Sequence, residues 1–227
     1  MRKIDDSIKN KNLFGNISDP IKKLFDDTTY PWEIIPKISS YINMLIDNKN
    51  TMLKDYKMIS DGVFVGDNVT ISPLSTIIPP AIIGSGTEIR PGAYLRGNVI
   101  IGEKCVIGNS TEVKNSVLLN HADAPHYNYI GDSILGSHSH MGAGAICSNL
   151  KSDKSNIVVK SPKDNYETNL RKMGAILGDN VEVGCGSVLN PGTIICANTT
   201  IYPLTNVRGV VGENSIMKSK DVTIEKH

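Results

Sequence analysis

Apolar residues recur at every sixth position along the middle of this chain. From Val63 onward, the third position of ten consecutive six-residue repeats is aliphatic, at Val65, Ile71, Ile77, Ile83, Ile89, Leu95, Ile101, Ile107, Val113 and Leu119. The last positions of the repeats are rich in Gly, Asn, Asp, Ser and Pro, which favour turns. An amphipathic helix needs a period of about 3.6 residues, and the strands of a hairpin sandwich alternate residue by residue. The pattern instead predicts short strands joined by tight corners.

Three such repeats would close one triangular coil of about 18 residues, with the aliphatic third position pointing inward. Stacked coils would then bury a continuous core that no single coil could bury alone. The same spacing returns at Leu135, Met141 and Cys147 and again within residues 177–207. We therefore predict a mainly β fold in which residues 61–215 form a parallel β-helix of hexapeptide repeats.

Other segments do not follow the hexapeptide pattern. Residues 1–60 carry helix signals, including Asp19-Pro20 as a helix start and helical apolar spacing after Pro36. We expect them to form a small α-helical cap over the open end of the β-helix. Residues 150–173 are polar and out of step, so we expect a loop insertion, which in a solenoid usually lies on the working face. Residues 216–227 are expected to form a C-terminal tail.

Composition and charge exclude several classes of partner. The net charge is +1, which gives no general attraction to nucleic acid or to an anionic membrane. No apolar run approaches the roughly 18 residues of a membrane-spanning helix, and the start lacks the apolar stretch of a signal peptide. The four cysteines form no CxxC pair, as expected for reduced thiols. We expect a cytoplasmic protein.

The segment DAPHYNYIGD, residues 123–132, departs from the repeat and contains a candidate catalytic group, His126. Histidine side chains ordinarily titrate near pH 6.5, which is about right for a general base at neutral pH. The alternative is a histidine that only packs in a loop.

Three charged residues precede this segment in a regular arrangement. Arg96 and Lys114 are 18 residues apart, one predicted coil, so they should stack on one face about 4.8 Å apart. Two cations at that distance repel unless an anion such as a phosphate lies between them. The alternative is a pair of solvated surface cations. Glu112 points the same way as Lys114 along the strand, where it is placed to orient the imidazole of His126.

Four of the five histidines are clustered, which raises a metal site as a rival. His121, His126, His138 and His140 lie within twenty residues. Carbonic anhydrases of the hexapeptide type bind zinc through three histidines, and the last two are spaced like His121 and His126. The position of the first histidine is occupied here by Ser85, so a zinc hydrolyase remains only a third hypothesis.

The segments RPGAYLRGN, EVKN, PHYNYIGD, GAG and SN occur in this order. Together they resemble the acetyltransferase domain of the bifunctional enzymes that join glucosamine-1-phosphate acetyltransferase to N-acetylglucosamine-1-phosphate uridyltransferase. The resemblance covers about residues 60–215. It implies a left-handed β-helix, acetyl-CoA as a co-substrate without a tightly bound cofactor or metal, and a homotrimer with sites between neighbouring chains. The glycine-rich motif of the nucleotidyltransferase half does not occur in the sequence, so no nucleotidyl transfer is expected.

The resemblance also implies roles for individual residues. His126 would be the catalytic base, Glu112 its support, and Ala143 the source of the backbone amide that meets the acetyl carbonyl. The substrate-binding positions fall on Arg96, Lys114, Tyr129, Asn149 and His140. The contacts with acetyl-CoA fall on Ala143, Cys185 and Pro203. His140 replaces a family asparagine and Leu150 a family tyrosine, so the acceptor side departs from the family pattern.

These observations favour one function over two alternatives. The favoured function is acetyl transfer from acetyl-CoA to the amine of an amino-sugar phosphate that resembles glucosamine-1-phosphate. A non-catalytic scaffold or sugar-phosphate-binding β-helix is the first alternative, because changes such as His140 and Leu150 accumulate when turnover is lost. The zinc hydrolyase is the second alternative.

Overall fold

The computed structural model describes residues 5–15, 17–47, 51–219 and 222–226. A left-handed parallel β-helix of triangular cross-section occupies the chain from residue 63 onward. Each coil contributes one short strand to each of three sheets, named A, B and C in the order in which the chain enters them. The predicted β-helix is therefore confirmed.

The strands are short and, apart from the insertion, are joined by corners of one to four residues. Sheet A contains Lys57–Ser60, Val63–Val65, Ala81–Ile83, Val99–Ile101, Ser116–Leu118, Ile134–Leu135, Ala175–Leu177, Thr193–Ile195 and Val210–Val211. Sheet B contains Thr70–Ile71, Glu88–Ile89, Val106–Asn109, Asp123–His126, His140–Met141, Glu182–Val183, Thr200–Ile201, Ser215–Ser219 and Val222–Glu225. Sheet C contains Thr76–Ile78, Tyr94–Arg96, Glu112–Lys114, Tyr129–Gly131, Ile146–Cys147, Val188–Leu189 and Asn206–Val207.

The third position of each repeat points into the prism, as predicted. Ile83, Leu95 and Ile107 are buried and belong to one core that runs along the axis. Partners in neighbouring coils are 18 residues apart, as Val65 and Ile83 are in sheet A. The hydrophobic residue of one coil therefore stacks on that of the next, and the core is continuous.

Two coils are one residue shorter than the other regular coils. Ser116 pairs with Val99, 17 residues away instead of 18, and the next coil has the same length. The predicted frame is therefore wrong by one residue at its end, since Leu118 enters the core and Leu119 packs outside it. Residues 123–132 also stay within the coil as strands of sheets B and C and do not leave the repeat.

The N-terminal region packs on the outer face of sheet A. Its helical segments are Asp6–Ile8, Asn10–Leu13, Lys22–Asp26, Pro31–Glu33, Ile35–Lys37, Ile38–Asp47 and Thr51–Leu53. Buried side chains such as Ile38 and Ile42 join one cluster with the outward-facing Ile82 and Ile100 of sheet A. The predicted cap over the open end is therefore wrong in position, because the apolar surface that needs cover lies on this flank.

The predicted insertion at residues 150–173 leaves the β-helix and returns to it. It forms a small antiparallel hairpin of Val158–Lys160 and Asn165–Glu167. Ile157 and Val159 are buried in the same cluster as the N-terminal helices. The hairpin and the N-terminal region thus form one layer over sheet A, which we call the flank layer.

Asp5 joins the two parts of the flank layer. Its buried carboxylate accepts a hydrogen bond from Ser161 and lies 3.4 Å from Nζ of Lys163, both in the insertion. Its backbone N–H donates to Oη of Tyr166 at 2.7 Å. The Tyr166 ring in turn lies 5.9 Å from the Trp32 ring of the N-terminal region, centroid to centroid. Polar and aromatic contacts therefore fasten the insertion to the N-terminal region.

Antiparallel strands cover part of both ends of the β-helix. Lys57–Ser60 pairs with Val63–Val65 in sheet A, and Val222–Glu225 pairs with Ser215–Ser219 in sheet B. Ser215–Ser219 itself continues sheet B in parallel pairing with Thr200–Ile201. The predicted tail from residue 216 is therefore wrong, because the β-helix continues to residue 219.

No helix of the described residues is long and apolar enough to cross a membrane.

Candidate active site

Four predicted residues form one row along the corner between sheets B and C. His126, Ala143, Cys185 and Pro203 occupy the fifth position of successive coils there, and all are exposed. Each of the first three carbonyls accepts a hydrogen bond from the next coil, at 3.0 Å for His126, 2.8 Å for Ala143 and 2.9 Å for Cys185. Coil spacing is about 4.8 Å, so these residues, the corner row, lie on a line parallel to the axis.

In several coils, the backbone amide at the fifth position of this corner is not used to build the fold. Proline stands there in three coils, at Pro73, Pro91 and Pro203, and proline has no amide hydrogen. In the part of the chain that the structure describes, the N–H of Ala143 donates no hydrogen bond. An unused amide one coil away from an imidazole is suited to stabilise an oxyanion.

Asn128 fixes the coil of His126 relative to the coil of Ala143. Its buried side chain donates from Nδ2 to the carbonyls of Gly142 at 2.8 Å and Ala145 at 3.2 Å. Its Oδ1 accepts from the backbone N–H of His126 at 3.2 Å. This role of Asn128 is not predicted from the sequence. The available signal is an asparagine at the first position of a repeat, where the regular repeats have small or β-branched residues.

A polar cluster lies on the outer face of sheet C and includes most of the predicted acceptor-binding residues. Its members are Arg96, Glu112, Lys114, Tyr129, Asp132 and Asn149. The strand register sets Lys114 beside Arg96, as the coil length predicts. Each cation already has a carboxylate partner, however. Nη1 of Arg96 lies 2.5 Å from Oε1 of Glu112, and Nζ of Lys114 lies 3.2 Å from Oδ2 of Asp132. Two cations and two carboxylates balance, so Arg96 and Lys114 need no bound anion to remain adjacent.

Asp132 is the centre of the polar cluster, although the sequence does not mark it as a site residue. Its side chain is 5% exposed and accepts hydrogen bonds from Lys114, Asn115 at 2.8 Å and Asn149 at 2.5 Å. Its backbone is left-handed, with a φ of 49°, at the shortened corner between sheets C and A. The loss of one residue from this coil therefore coincides with the carboxylate that organises Lys114 and Asn149.

Tyr129 adds a hydroxyl to the polar cluster. Burial raises the pKa of Tyr129, and the carboxylates of Glu112 and Asp132 raise it further, so the hydroxyl stays neutral at physiological pH. Gly131 lies beneath it. A Cβ at Gly131 would come within 2.5 Å of Oη of Tyr129 and 2.8 Å of Nδ2 of Asn149. The absence of a side chain at Gly131 therefore makes room for both neighbours.

Two predicted arrangements differ from the observed ones. Among the described residues, the carboxylate of Glu112 binds Arg96 and not the imidazole of His126. His140 lies on the outer face of sheet B, with Nδ1 3.1 Å from Oε2 of Glu182. It occupies the second position of a repeat in sheet B, so its side chain projects from a different face of the prism than the polar cluster. His140 is thus not brought together with the other predicted acceptor-binding residues.

The histidines do not assemble a zinc site. His121 lies at the corner between sheets A and B, where its ring stacks on His138 at 4.5 Å, whereas His126 lies at the corner between sheets B and C. In the described ranges, no group of three or more His, Cys, Asp or Glu is arranged to hold a metal ion. Within one chain, His121 and His126 therefore do not share a metal site.

The corner row and the polar cluster leave sheet A outside the candidate site. The insertion at residues 150–173 covers sheet A, so the expectation that it lies on the working face is wrong. The end of the insertion still contacts the site. The backbone N–H of Met173 donates to the carbonyl of Asn149, and the backbone N–H of Gly174 donates to the carbonyl of Asp132.

Comparison with known proteins gives a consistent picture. The sequence model of the GMPPB C-terminal domain matches residues 77–211. A bifunctional sugar-1-phosphate nucleotidylyltransferase/acetyltransferase of Sulfurisphaera tokodaii is 33% identical over 106 residues, covering 47% of this chain and 26% of that protein. The bifunctional protein GlmU of Methanococcus maripaludis is 31% identical over 220 residues, covering 96% of this chain and 53% of that protein. The chain thus spans between about a quarter and a half of the length of these relatives.

A solved structure supports the fold independently. The UDP-N-acetylglucosamine acyltransferase of Francisella novicida superposes with a TM-score of 0.50 at 11% identity, over 72% of this chain and 65% of that one. The family match at residues 77–211 includes the whole polar cluster and the corner row from His126 to Pro203. Since that match extends over more than half of the sequence, the chain belongs to the GMPPB C-terminal domain family.

Proposed function

We propose that this chain is an N-acetyltransferase that transfers the acetyl group of acetyl-CoA to the amine of an amino-sugar phosphate. The observation that carries the proposal is the corner row, in which an exposed imidazole and an unused amide lie on adjacent coils beside a polar cluster. The name of the Sulfurisphaera tokodaii relative, which joins a sugar-1-phosphate activity to an acetyltransferase, supports the substrate class.

The proposed reaction uses two members of the corner row. The acceptor nitrogen attacks the thioester carbon, a C–N bond forms, the C–S bond breaks, and coenzyme A leaves as a thiolate. His126 takes the proton from the nitrogen and returns it to the sulfur. The N–H of Ala143 donates to the developing oxyanion, an interaction that contributes about 3–4 kcal/mol in comparable sites.

The proposed donor site is a shallow groove along the corner row, where Cys185 and Pro203 would contact acetyl-CoA. The fourth position of the neighbouring sheet B strands is small in four coils, at Gly108, Pro125, Gly142 and Gly184. A Cβ at Gly108, Gly142 or Gly184 would come within 2.7 Å of the backbone of the next coil, so the coils pack closely beside the row. Because this groove is open on one side, we propose that a homotrimer encloses it between neighbouring chains, in the cytoplasm.

The proposed acceptor site is the polar cluster. Arg96 and Lys114 would bind the phosphate, with Tyr129 and Asn149 contacting the sugar. A phosphate must exchange with the carboxylates that now neutralise these cations, and a dianion with three acceptor oxygens competes well for a guanidinium.

The first test is release of free thiol from acetyl-CoA in the presence of glucosamine-1-phosphate. His126→Ala should reduce the rate by about a hundredfold or more, because the proton acceptor is lost. His121→Ala is the matched control, since His121 lies at a different corner. An unchanged rate in His126→Ala would contradict its role as the base.

The acceptor site is tested by the substrate dependence of the same assay. Arg96→Ala should raise KM for the phosphorylated amino sugar about tenfold or more and leave KM for acetyl-CoA nearly unchanged, because a bidentate phosphate contact is removed. Binding of glucosamine-1-phosphate in a calorimeter without any thiol release would instead favour the non-catalytic alternative.

A further inference from the structure

Glu112 has its ion-pair partner, Arg96, in one neighbouring coil and the candidate base, His126, in the other. It lies in the coil between that of Arg96 and that of His126. In this structure its carboxylate binds the guanidinium of Arg96 at 2.5 Å. In the next coil, Tyr129 lies opposite Glu112 in register, and His126 precedes Tyr129 by three residues around the corner. The carboxylate therefore stands between a guanidinium on one side and the candidate base on the other.

The Arg96–Glu112 ion pair is the more exchangeable of the two pairs in the polar cluster. Its side chains are 42% and 31% exposed, whereas the carboxylate that holds Lys114 is 5% exposed and has two further donors. Exposed ion pairs contribute little free energy because water solvates both charges. An incoming phosphate can therefore take Arg96 from Glu112 more readily than it can take Lys114 from Asp132.

We propose that Arg96 keeps Glu112 away from His126 in the free protein, and that an anionic acceptor releases Glu112 by binding Arg96. The released carboxylate then pairs with the imidazole of His126 and stabilises its protonated form. This inference rests on the proposed function and deepens it: acceptor binding would complete the catalytic pair. Arg96 is then both a phosphate ligand and a positioning residue for Glu112.

The proposal predicts a change in His126 that is visible without turnover. A carboxylate brought next to an imidazole raises the pKa of that imidazole. The other titratable groups near this corner are Asp123 and His140 on sheet B and Tyr129, Lys114 and Asp132 on sheet C. These groups keep the same partners in Arg96→Gln and in Arg96→Gln/Glu112→Gln, so they do not produce the predicted difference between those two variants.

The experiment is an NMR titration of the His126 imidazole in the full chain, with its signal assigned by its loss in His126→Gln. Arg96→Gln should raise the pKa of His126 by roughly half a unit to one unit, because Glu112 is freed. In the double variant Arg96→Gln/Glu112→Gln, that increase should disappear. Lys114→Gln is the matched control and should produce the smaller change, since the partner of Lys114 is Asp132.

Two results would overturn the proposal. One is no change in the pKa of His126 in Arg96→Gln. The other is an equal increase in the Glu112→Gln background, which would show that removing the Arg96 charge acts directly on the imidazole. Inorganic phosphate added to the wild-type chain provides the ligand test: it should raise the pKa of His126 more than it does in Glu112→Gln, and equal increases would also contradict the proposal.

These readouts separate the inference from the proposed function. If the pKa pattern appears but no thiol is released from acetyl-CoA, the acetyltransferase proposal fails and the exchange of Glu112 stands. If thiol is released but the pKa pattern is absent, the exchange of Glu112 is wrong and the acetyltransferase proposal stands.

Discussion

The flank of sheet A and the outer faces of sheets B and C are built from one repeat and serve different purposes. In sheet A the second position of the repeat is apolar in every coil, at Phe64, Ile82, Ile100, Val117, Ile134, Ile176, Ile194 and Val210. In sheet C the same position is mixed, at Thr76, Tyr94, Glu112, Tyr129, Ile146, Val188 and Asn206. The first surface is covered by the flank layer, and the second carries the polar cluster.

The difference separates two kinds of information in a hexapeptide repeat. The third position points inward on every face, so it specifies the β-helix and nothing about its use. The second position points outward, so it decides whether a face becomes a packing surface or remains open to solvent. Function is therefore confined to the faces whose outward residues do not need cover.

The largest predicted effect tests whether the second position of the repeat decides which face is a packing surface. Ile100→Asp should lower the free energy of unfolding by about 4 kcal/mol or more, because it buries an unpaired carboxylate in a site that is 1% exposed. Ile146→Asp is the matched control, with the same substitution at the second position of sheet C, where the side chain is 38% exposed. Denaturant unfolding of the two variants measures the difference.

An equal loss of stability at both positions would break the comparison. It would mean that the outer face of sheet C is as well buried as the flank of sheet A in the protein in solution. A small loss at Ile146 and a large loss at Ile100 would instead establish that the flank of sheet A is a packing surface and the outer face of sheet C is not.

The next effect concerns the open face itself. Gly131→Ala should raise KM for the phosphorylated acceptor about tenfold, because the new Cβ would force Tyr129 and Asn149 to move. The backbone of Gly131 is not left-handed, so the methyl group and not backbone strain is the cause. Gly212→Ala is the control, since its Cβ would meet only Oγ of Ser215 at an ordinary 3.8 Å. Steady-state kinetics with unchanged KM in Gly131→Ala would remove Tyr129 and Asn149 from the acceptor site.

The β-helix and the adjacency of Arg96 and Lys114 could be predicted because both follow from the period alone. The aliphatic third positions define the coil, and the coil length then brings Lys114 next to Arg96. The shortened coil could not be predicted in the same way. Leu118 and Leu119 are both aliphatic, so the sequence pattern fits either residue as the inward one. The one-residue change that creates the Asp132 corner is therefore hidden in the pattern.

The position of the flank layer could be predicted from the sequence, but only by following the second position of the repeat as well as the third. The aliphatic second position in every third repeat, as in Ile82 and Ile100, predicts an apolar flank on one sheet. The ion-pair partner of Glu112 could not be predicted from the sequence. Arg96 and His126 lie in the coils on either side of Glu112, and a long side chain chooses between them by rotamer and not by register.

The smallest predicted effect concerns the fastening of the flank layer. Burial raises the pKa of Asp5, but hydrogen bonds from Ser161 and Ser7 and the charge of Lys163 outweigh it and bring the pKa below 3.8. A carboxyl group whose pKa is lower in the folded state stabilises the fold above its ordinary pKa and loses that contribution as the pH falls through its folded value. Asp5→Asn should therefore lower the free energy of unfolding by about 1 kcal/mol at pH 7.

The pH dependence distinguishes this charge effect from simple loss of packing. The difference between Asp5→Asn and the wild-type chain should shrink as the pH falls below 3.8, because the wild-type carboxyl group is then also neutral. Asp6→Asn is the neighbouring control: its side chain is 67% exposed, and its ion pair with Lys9 is solvated, so the variant should unfold like the wild-type chain. If Asp5→Asn also behaves like the wild-type chain at pH 7, the contacts of Asp5 add no net stability to the flank layer and only orient the insertion.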